Sequence, residues 1–235
     1  MGIEPRDLAR DVEAATRRLI ETVTALDDTD VRAPSRLPDW SRGHVLTHLA
    51  RNADGLVNLL GWCHGQRVPM YESNEARDRD IEAGAARSAE QLLADVRASA
   101  ERFAEALDAV PDEGWDVVVE LRGRRQLPTS DVPWKRLVEV EVHHLDLGAG
   151  YDHADWSQPF TDRLLDEVGA GLPDRLGGRS LTVHRTDRSA PPADAPRPVV
   201  SGSPTALAAW LTGRSPGTDL TVDPPGDLPA IPGWI

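Results

Sequence analysis

The sequence predicts an α+β fold: a four-helix bundle over residues 1–150, followed by a smaller α/β domain over residues 151–235. Three observations point there. Apolar residues recur at a period near 3.6 through four stretches of the first half. Beyond Tyr151 the texture changes to short β-like runs and helices, with proline clusters at 191–198 and 224–232. The composition, 40% hydrophobic and 28% charged over 235 residues, is globular. A chain of this length buries roughly 70–75% of its unfolded surface, enough for a core that needs no disulfide framework.

The first helix starts at Pro5, a residue suited to a first helical position, and Leu8, Val12, Ala15, Leu19, Val23 and Leu26 share one face. A turn containing Pro34 and Pro38 leads to Asp39 and Ser41, either of which can cap a second helix. That helix carries Val45, Leu46, Leu49, Leu56, Val57 and Leu60 and ends between Gly61 and Gly65. Gly65 to Gly84 shows no sustained periodicity and reads as a long polar connection, the kind that serves as a lid over a site.

Ser88 and Gln91 form a capping box for a third helix carrying Leu92, Val96, Phe103 and Leu107, which stops before Pro111. Residues 115–130 read as an extended excursion around Gly123. From Val132 the positions Leu137, Val140, His144 and Leu147 resume a helical period until Gly148 and Gly150. In the second domain a helix near 158–171 precedes β-like runs at 180–185 and 198–201, a helix at 205–211, and a last run at 220–222.

The net charge of −13 argues against nucleic acid, whose phosphates demand dense Lys and Arg. An anionic substrate would need arginines concentrated locally. No apolar run approaches the roughly 18 residues of a membrane span, and the N-terminus lacks a basic stretch leading into an apolar one. The lone Cys63 cannot form an internal bridge, so a cytoplasmic location is expected.

Four of the seven histidines fall in two short helical clusters. His44 and His48 lie one turn apart on the second helix, with Asn52 a further turn along. Glu139 and His143 have the same spacing on the fourth helix, flanked by Glu141, His144 and Asp146. Facing helices of a bundle build metal sites from such residues, and two nitrogens with one oxygen suit zinc while leaving a fourth position open. The plainer reading is a set of surface or core histidines, with Glu139 paired to Arg136 on a solvated face. Cys63 has no signature of a nucleophile around it. A glycine-rich phosphate loop, a nucleophile-elbow serine and a paired-cysteine zinc motif are all missing from the sequence.

Three ordered segments carry a resemblance. Leu37-Pro38-Asp39-Trp40-Ser41-Arg42-Gly43-His44-Val45-Leu46-Thr47-His48-Leu49-Ala50-Arg51-Asn52-Ala53-Asp54 resembles the second-helix signature of the mycothiol-dependent maleylpyruvate isomerase family. Glu75 to Gly84 and Arg136 to Gly148 resemble two further stretches of it, and Trp210-Leu211-Thr212-Gly213-Arg214 continues the likeness more weakly. The resemblance implies a DinB-like four-helix metal-binding domain followed by a small α/β domain. It implies a divalent metal, usually zinc, held by His48, Glu139 and His143. His44, Asn52 and His144 then become candidates to line the cofactor site or to orient the ligands, and Asp146 is similar.

The activity so implied is conversion of maleylpyruvate to fumarylpyruvate. A zinc-activated mycothiol thiolate adds to the cis double bond, the resulting single bond rotates, and elimination follows. Addition builds enolate charge on a substrate with two carboxylates, so cationic donors are needed. Arg214, Arg77 and Arg79 are the candidates. The expected partners are thus a small-molecule thiol and an anionic or electrophilic substrate. Two alternatives stay open: a mycothiol S-transferase using the same metal residues, and a non-catalytic metal-binding module.

Overall fold

The computed structural model describes residues 4–234. The chain divides after Tyr151 into two compact units. The first contains α1 (Pro5–Thr24), α2 (Asp28–Arg32), α3 (Arg42–Leu60), α4 (Asn74–Ala85), α5 (Ala89–Asp108), β1 (Val118–Glu120), β2 (Gln126–Pro128) and α6 (Val132–Asp146). The four long helices α1, α3, α5 and α6 pack into a bundle, in which α3 and α1 each contact both α5 and α6.

Sequence explains the ends of these helices. Pro5 opens α1, where a missing N–H costs nothing. Ser41, not Asp39, caps α3: its hydroxyl accepts from the His44 N–H, while Asp39 occupies a left-handed turn at φ 63°. Ser88 and Gln91 form the expected box at α5. Inside, Leu19, Leu46, Leu49, Leu59, Leu92 and Val140 are fully buried. The excursion at 115–130 is an antiparallel hairpin, with Val119 opposite Leu127 and Gly123 turning at φ 78°.

The expected lid loop is instead largely helical, because α4 occupies residues 74–85. Ser73 caps it by accepting from the Ala76 N–H. Its apolar period is weak because its buried residues are mostly small: Ala76, Gly84 and Ala85, with Ile81 the one large exception. Small residues let α4 lie directly on α3. A Cβ at Gly43 would sit 2.3 Å from the Ala85 carbonyl oxygen, and one at Gly84 would sit 2.4 Å from Thr47 Cγ2.

The second unit contains α7 (Gln158–Ala170), α8 (Leu172–Leu176), β3 (Thr182–Arg185), β4 (Val199–Gly202), α9 (Pro204–Leu211) and β5 (Thr221–Asp223). The sheet order is β3-β4-β5, with β3 parallel and β5 antiparallel to β4. Residues 186–198 make the parallel crossover, close to the dozen or so residues such a connection needs. Helix α7 packs on α9 around Phe160, Leu164, Val168 and Leu207. Among the described residues no helix is long and apolar enough to cross a membrane.

Candidate metal centre

Helix periodicity places Glu139 and His143 one turn apart on α6, and bundle packing sets that face against His48 of α3. His48 Nε2 lies 3.0 Å from Glu139 Oε2 and 3.1 Å from His143 Nε2, and His143 Nε2 lies 3.3 Å from Glu139 Oε2. These three donor atoms converge within 4.8 Å of one another. Ligands about 2.1 Å from a shared tetrahedral ion sit about 3.4 Å apart, so the cluster has the dimensions of a three-ligand zinc site. Both imidazoles are buried, whereas the Glu139 side chain keeps 26% exposure, so the cluster opens on the carboxylate side.

Neighbouring groups set the proton positions. Asp146 Oδ2 accepts from His143 Nδ1 at 2.8 Å, which leaves the His143 Nε2 lone pair facing the cluster. Arg77 Nη2 stands 3.2 Å from His48 Nδ1. A guanidinium can only donate, so Nδ1 accepts and the proton of a neutral His48 ring sits on Nε2, towards Glu139. Burial pushes the His48 imidazole down to about 4. Burial alone would raise Glu139, but hydrogen bonds from His143 and His48 outweigh it and hold the carboxyl well below its usual range. For His143 burial acts downward, and the bonds to Asp146 and Glu139 carry the net shift upward.

Asp146→Asn is expected to weaken zinc binding about 10–100-fold, the usual effect of removing a carboxylate behind a histidine ligand. Competition with a chromogenic chelator measures it, and wild-type affinity in the variant would remove Asp146 from the centre.

The other residues singled out from the sequence lie as follows. His44 serves the start of α3: its Nδ1 meets Ser41 and its Nε2 lies 3.1 Å from Glu82 Oε2. Asn52 is buried one turn past His48, and its Oδ1 accepts from Arg136 Nη1 at 2.9 Å. His144 faces α1, because consecutive helical residues diverge by about 100°. Its Nε2 lies 2.8 Å from Thr22 Oγ1, and its ring stacks on Tyr151 at 3.8 Å. Arg77 reaches the cluster from α4, while Arg79 is 69% exposed beside Asp80. Arg214 follows α9 in the second unit, where its Nη1 donates to the Thr212 carbonyl.

Three further residues emerge from the structure. Trp40 packs edge-on to the His48 ring at 5.7 Å between centroids. Tyr71 lies close enough to feel the Glu139 charge; burial raises its phenol above the ordinary range and Glu139 adds to that. Arg136, which the plainer reading puts on a solvated face beside Glu139, is 1% exposed. Helix α6 is buried almost all round although it carries Lys135, Arg136, Glu139, Glu141, His143, His144 and Asp146, so nothing in its sequence signalled that burial.

Residues 12–148 match the family model described as the mycothiol maleylpyruvate isomerase N-terminal domain, and residues 155–233 match the C-terminal domain of the same family. The chain belongs to the mycothiol maleylpyruvate isomerase family. In this family member the His48–Glu139–His143 cluster falls inside the N-terminal match and Arg214 inside the C-terminal one. The fold is also that of a solved structure, the crystal structure of the mycothiol-dependent maleylpyruvate isomerase. The two share 26% identity with a TM-score of 0.89 over 99% of this chain and 98% of that one. A histidine-to-alanine mutant of that enzyme matches with the same figures. No curated protein sequence matches this family member.

Proposed function

We propose that this chain is a zinc- and mycothiol-dependent isomerase that converts maleylpyruvate to fumarylpyruvate. The observation that carries the reading is the buried meeting of two imidazoles and a carboxylate at 3.0–3.3 Å, in a chain of this family. When bound, the metal supplies a Lewis acid that keeps the mycothiol sulfur ionised, and the thiol supplies a nucleophile for reversible addition to the double bond.

The chain's own residues hold and orient. His48, Glu139 and His143 would grip the ion, with Asp146 fixing the His143 tautomer. An ion on His48 Nε2 requires the ring proton at Nδ1, and Nδ1–H can no longer accept from Arg77. Arg77 Nη2 would then be available to a substrate carboxylate, while Nη1 stays on Asp78 Oδ1. Trp40 gives the site an apolar wall. A reducing cytoplasm suits the free thiol of Cys63.

The test is turnover of maleylpyruvate by the purified protein, with zinc and mycothiol each omitted in turn. Isomerisation that requires both is the expected result. Conjugation of mycothiol to an alkyl halide without isomerisation would assign the S-transferase reading. Stoichiometric zinc with no affinity for the thiol would assign a non-catalytic module.

A further inference from the structure

Tyr71 stands beside the metal cluster without being one of its ligands. It lies between α3 and α4, and its ring packs on α3, where a Cβ at Gly55 would sit 3.2 Å from Tyr71 Cε1. Arg77 of α4 lies over the ring, 5.9 Å from its centroid. The half-buried phenol feels the charge of Glu139, the ligand on whose side the cluster opens.

The chain fixes which way the phenol hydrogen points. Arg136 Nη1 donates to Asn52 Oδ1 at 2.9 Å, and a guanidinium can only donate, so the Asn52 amide turns its NH2 away from Arg136. That NH2 and the Arg77 guanidinium both donate to the Tyr71 oxygen. With two donors on the oxygen, the hydroxyl's own hydrogen is left for an acceptor outside the pair. Arg136 is 1% exposed and Asn52 2%, so the arrangement is anchored in the bundle core. A phenol keeps its proton at neutral pH.

We propose that the Tyr71 hydroxyl is a catalytic hydrogen-bond donor to the ketone oxygen of the substrate, with Asn52 and Arg136 as its positioning residues. The inference rests on the isomerase reading. In that reaction a carbon–sulfur bond forms at the alkene carbon remote from the ketone, and the alkene electron pair moves onto the ketone oxygen. After rotation the pair returns, the carbon–sulfur bond breaks and thiolate leaves, so no proton or electron is gained or lost. Charge sits on the ketone oxygen only between these events. A donor held in place for it therefore speeds turnover more than it strengthens substrate binding. The phenol hydrogen stays on Tyr71 throughout.

Tyr71→Phe in the zinc-loaded protein tests it. With mycothiol present, kcat for maleylpyruvate should fall about a hundredfold, the usual cost of losing one such donor, with KM and zinc content within about twofold of wild type. Asn52→Asp keeps an acceptor for Arg136 but gives Tyr71 an acceptor in place of a donor, which turns the phenol hydrogen away from the substrate. It should lower kcat by a similar factor, and the double variant should stay within about threefold of Tyr71→Phe alone. A readout without turnover is 2,4-dioxopentanoate, which enolises but has no alkene to isomerise. Its calorimetric affinity should fall at least about tenfold in Tyr71→Phe, and ultraviolet absorption should show a smaller enolate fraction in the bound ligand. Wild-type kcat or wild-type dicarbonyl affinity in Tyr71→Phe would overturn the proposal. So would a raised KM or lost zinc in place of the effect on kcat, and so would effects of the two substitutions that multiply. A wild-type protein that fails to isomerise maleylpyruvate overturns the isomerase reading and the Tyr71 role with it, whereas an active wild type equalled by Tyr71→Phe removes the Tyr71 role alone.

Discussion

His48→Ala is expected to release the metal and lower isomerase turnover about a thousandfold or more. The substitution removes one of three donor atoms and the only one supplied by α3, so the ion would keep two ligands from a single helix. A Lewis acid at a developing anion contributes several kcal/mol, and each 1.36 kcal/mol is a factor of ten in rate. The side chain lies between Trp40, Arg77 and His143, and its loss leaves the leucine core of the bundle untouched. Helical circular dichroism should therefore stay at the wild-type level. Metal analysis and steady-state kinetics on the same preparation decide the matter: wild-type turnover in a protein free of metal would sink the enzymatic reading.

Gly43→Ala should destabilise the protein by about 3 kcal/mol, at the upper end of the usual cost of overpacking. The added methyl would meet the Ala85 carbonyl oxygen at 2.3 Å, a backbone atom that cannot rotate away. Either α3 and α4 separate or the start of α3 shifts, and both disturb the packing around Thr47 and Gly84. Gly169→Ala is the control. That glycine is exposed in α7, with nothing within 4 Å of the added methyl, and helix propensity predicts a gain of about 0.5–1 kcal/mol. Chemical denaturation of both variants should give shifts of opposite sign. Equal midpoints would mean that the contact between the two helices carries no stability.

The four long helices were legible because leucines and valines at a 3.6 period admit few other readings, and Ser88 with Gln91 marked a start. Helix α4 was not legible from periodicity. Its contact with α3 is made largely through alanine and glycine, which write almost no hydrophobic pattern, although Ser73 was available as a cap signal. At the centre, spacing put Glu139 with His143 but could not choose between His44 and His48; the resemblance made that choice. The structure supplies its physical reason, since His44 is the third residue of α3 and its ring is occupied by Ser41 and Glu82. The solvated face of the plainer reading does not hold for Arg136, because the pair Lys135-Arg136 looks the same in sequence whether the guanidinium points to water or to a buried carbonyl.

The seating of α4 on α3 through bare peptide atoms has a practical consequence. A helix held by carbonyl and glycine contacts has little freedom to slide or roll, so Arg77 is delivered to His48 with a tolerance fixed by main chain and not by adaptable side chains. Asp78 holds Arg77, Ile81 is buried and Glu82 meets His44, so the outward residues that take no part in that seating are Arg79 and Asp80. They form a cassette whose charge an engineer could rewrite to retune which anions approach the opening, while the guanidinium stays in register.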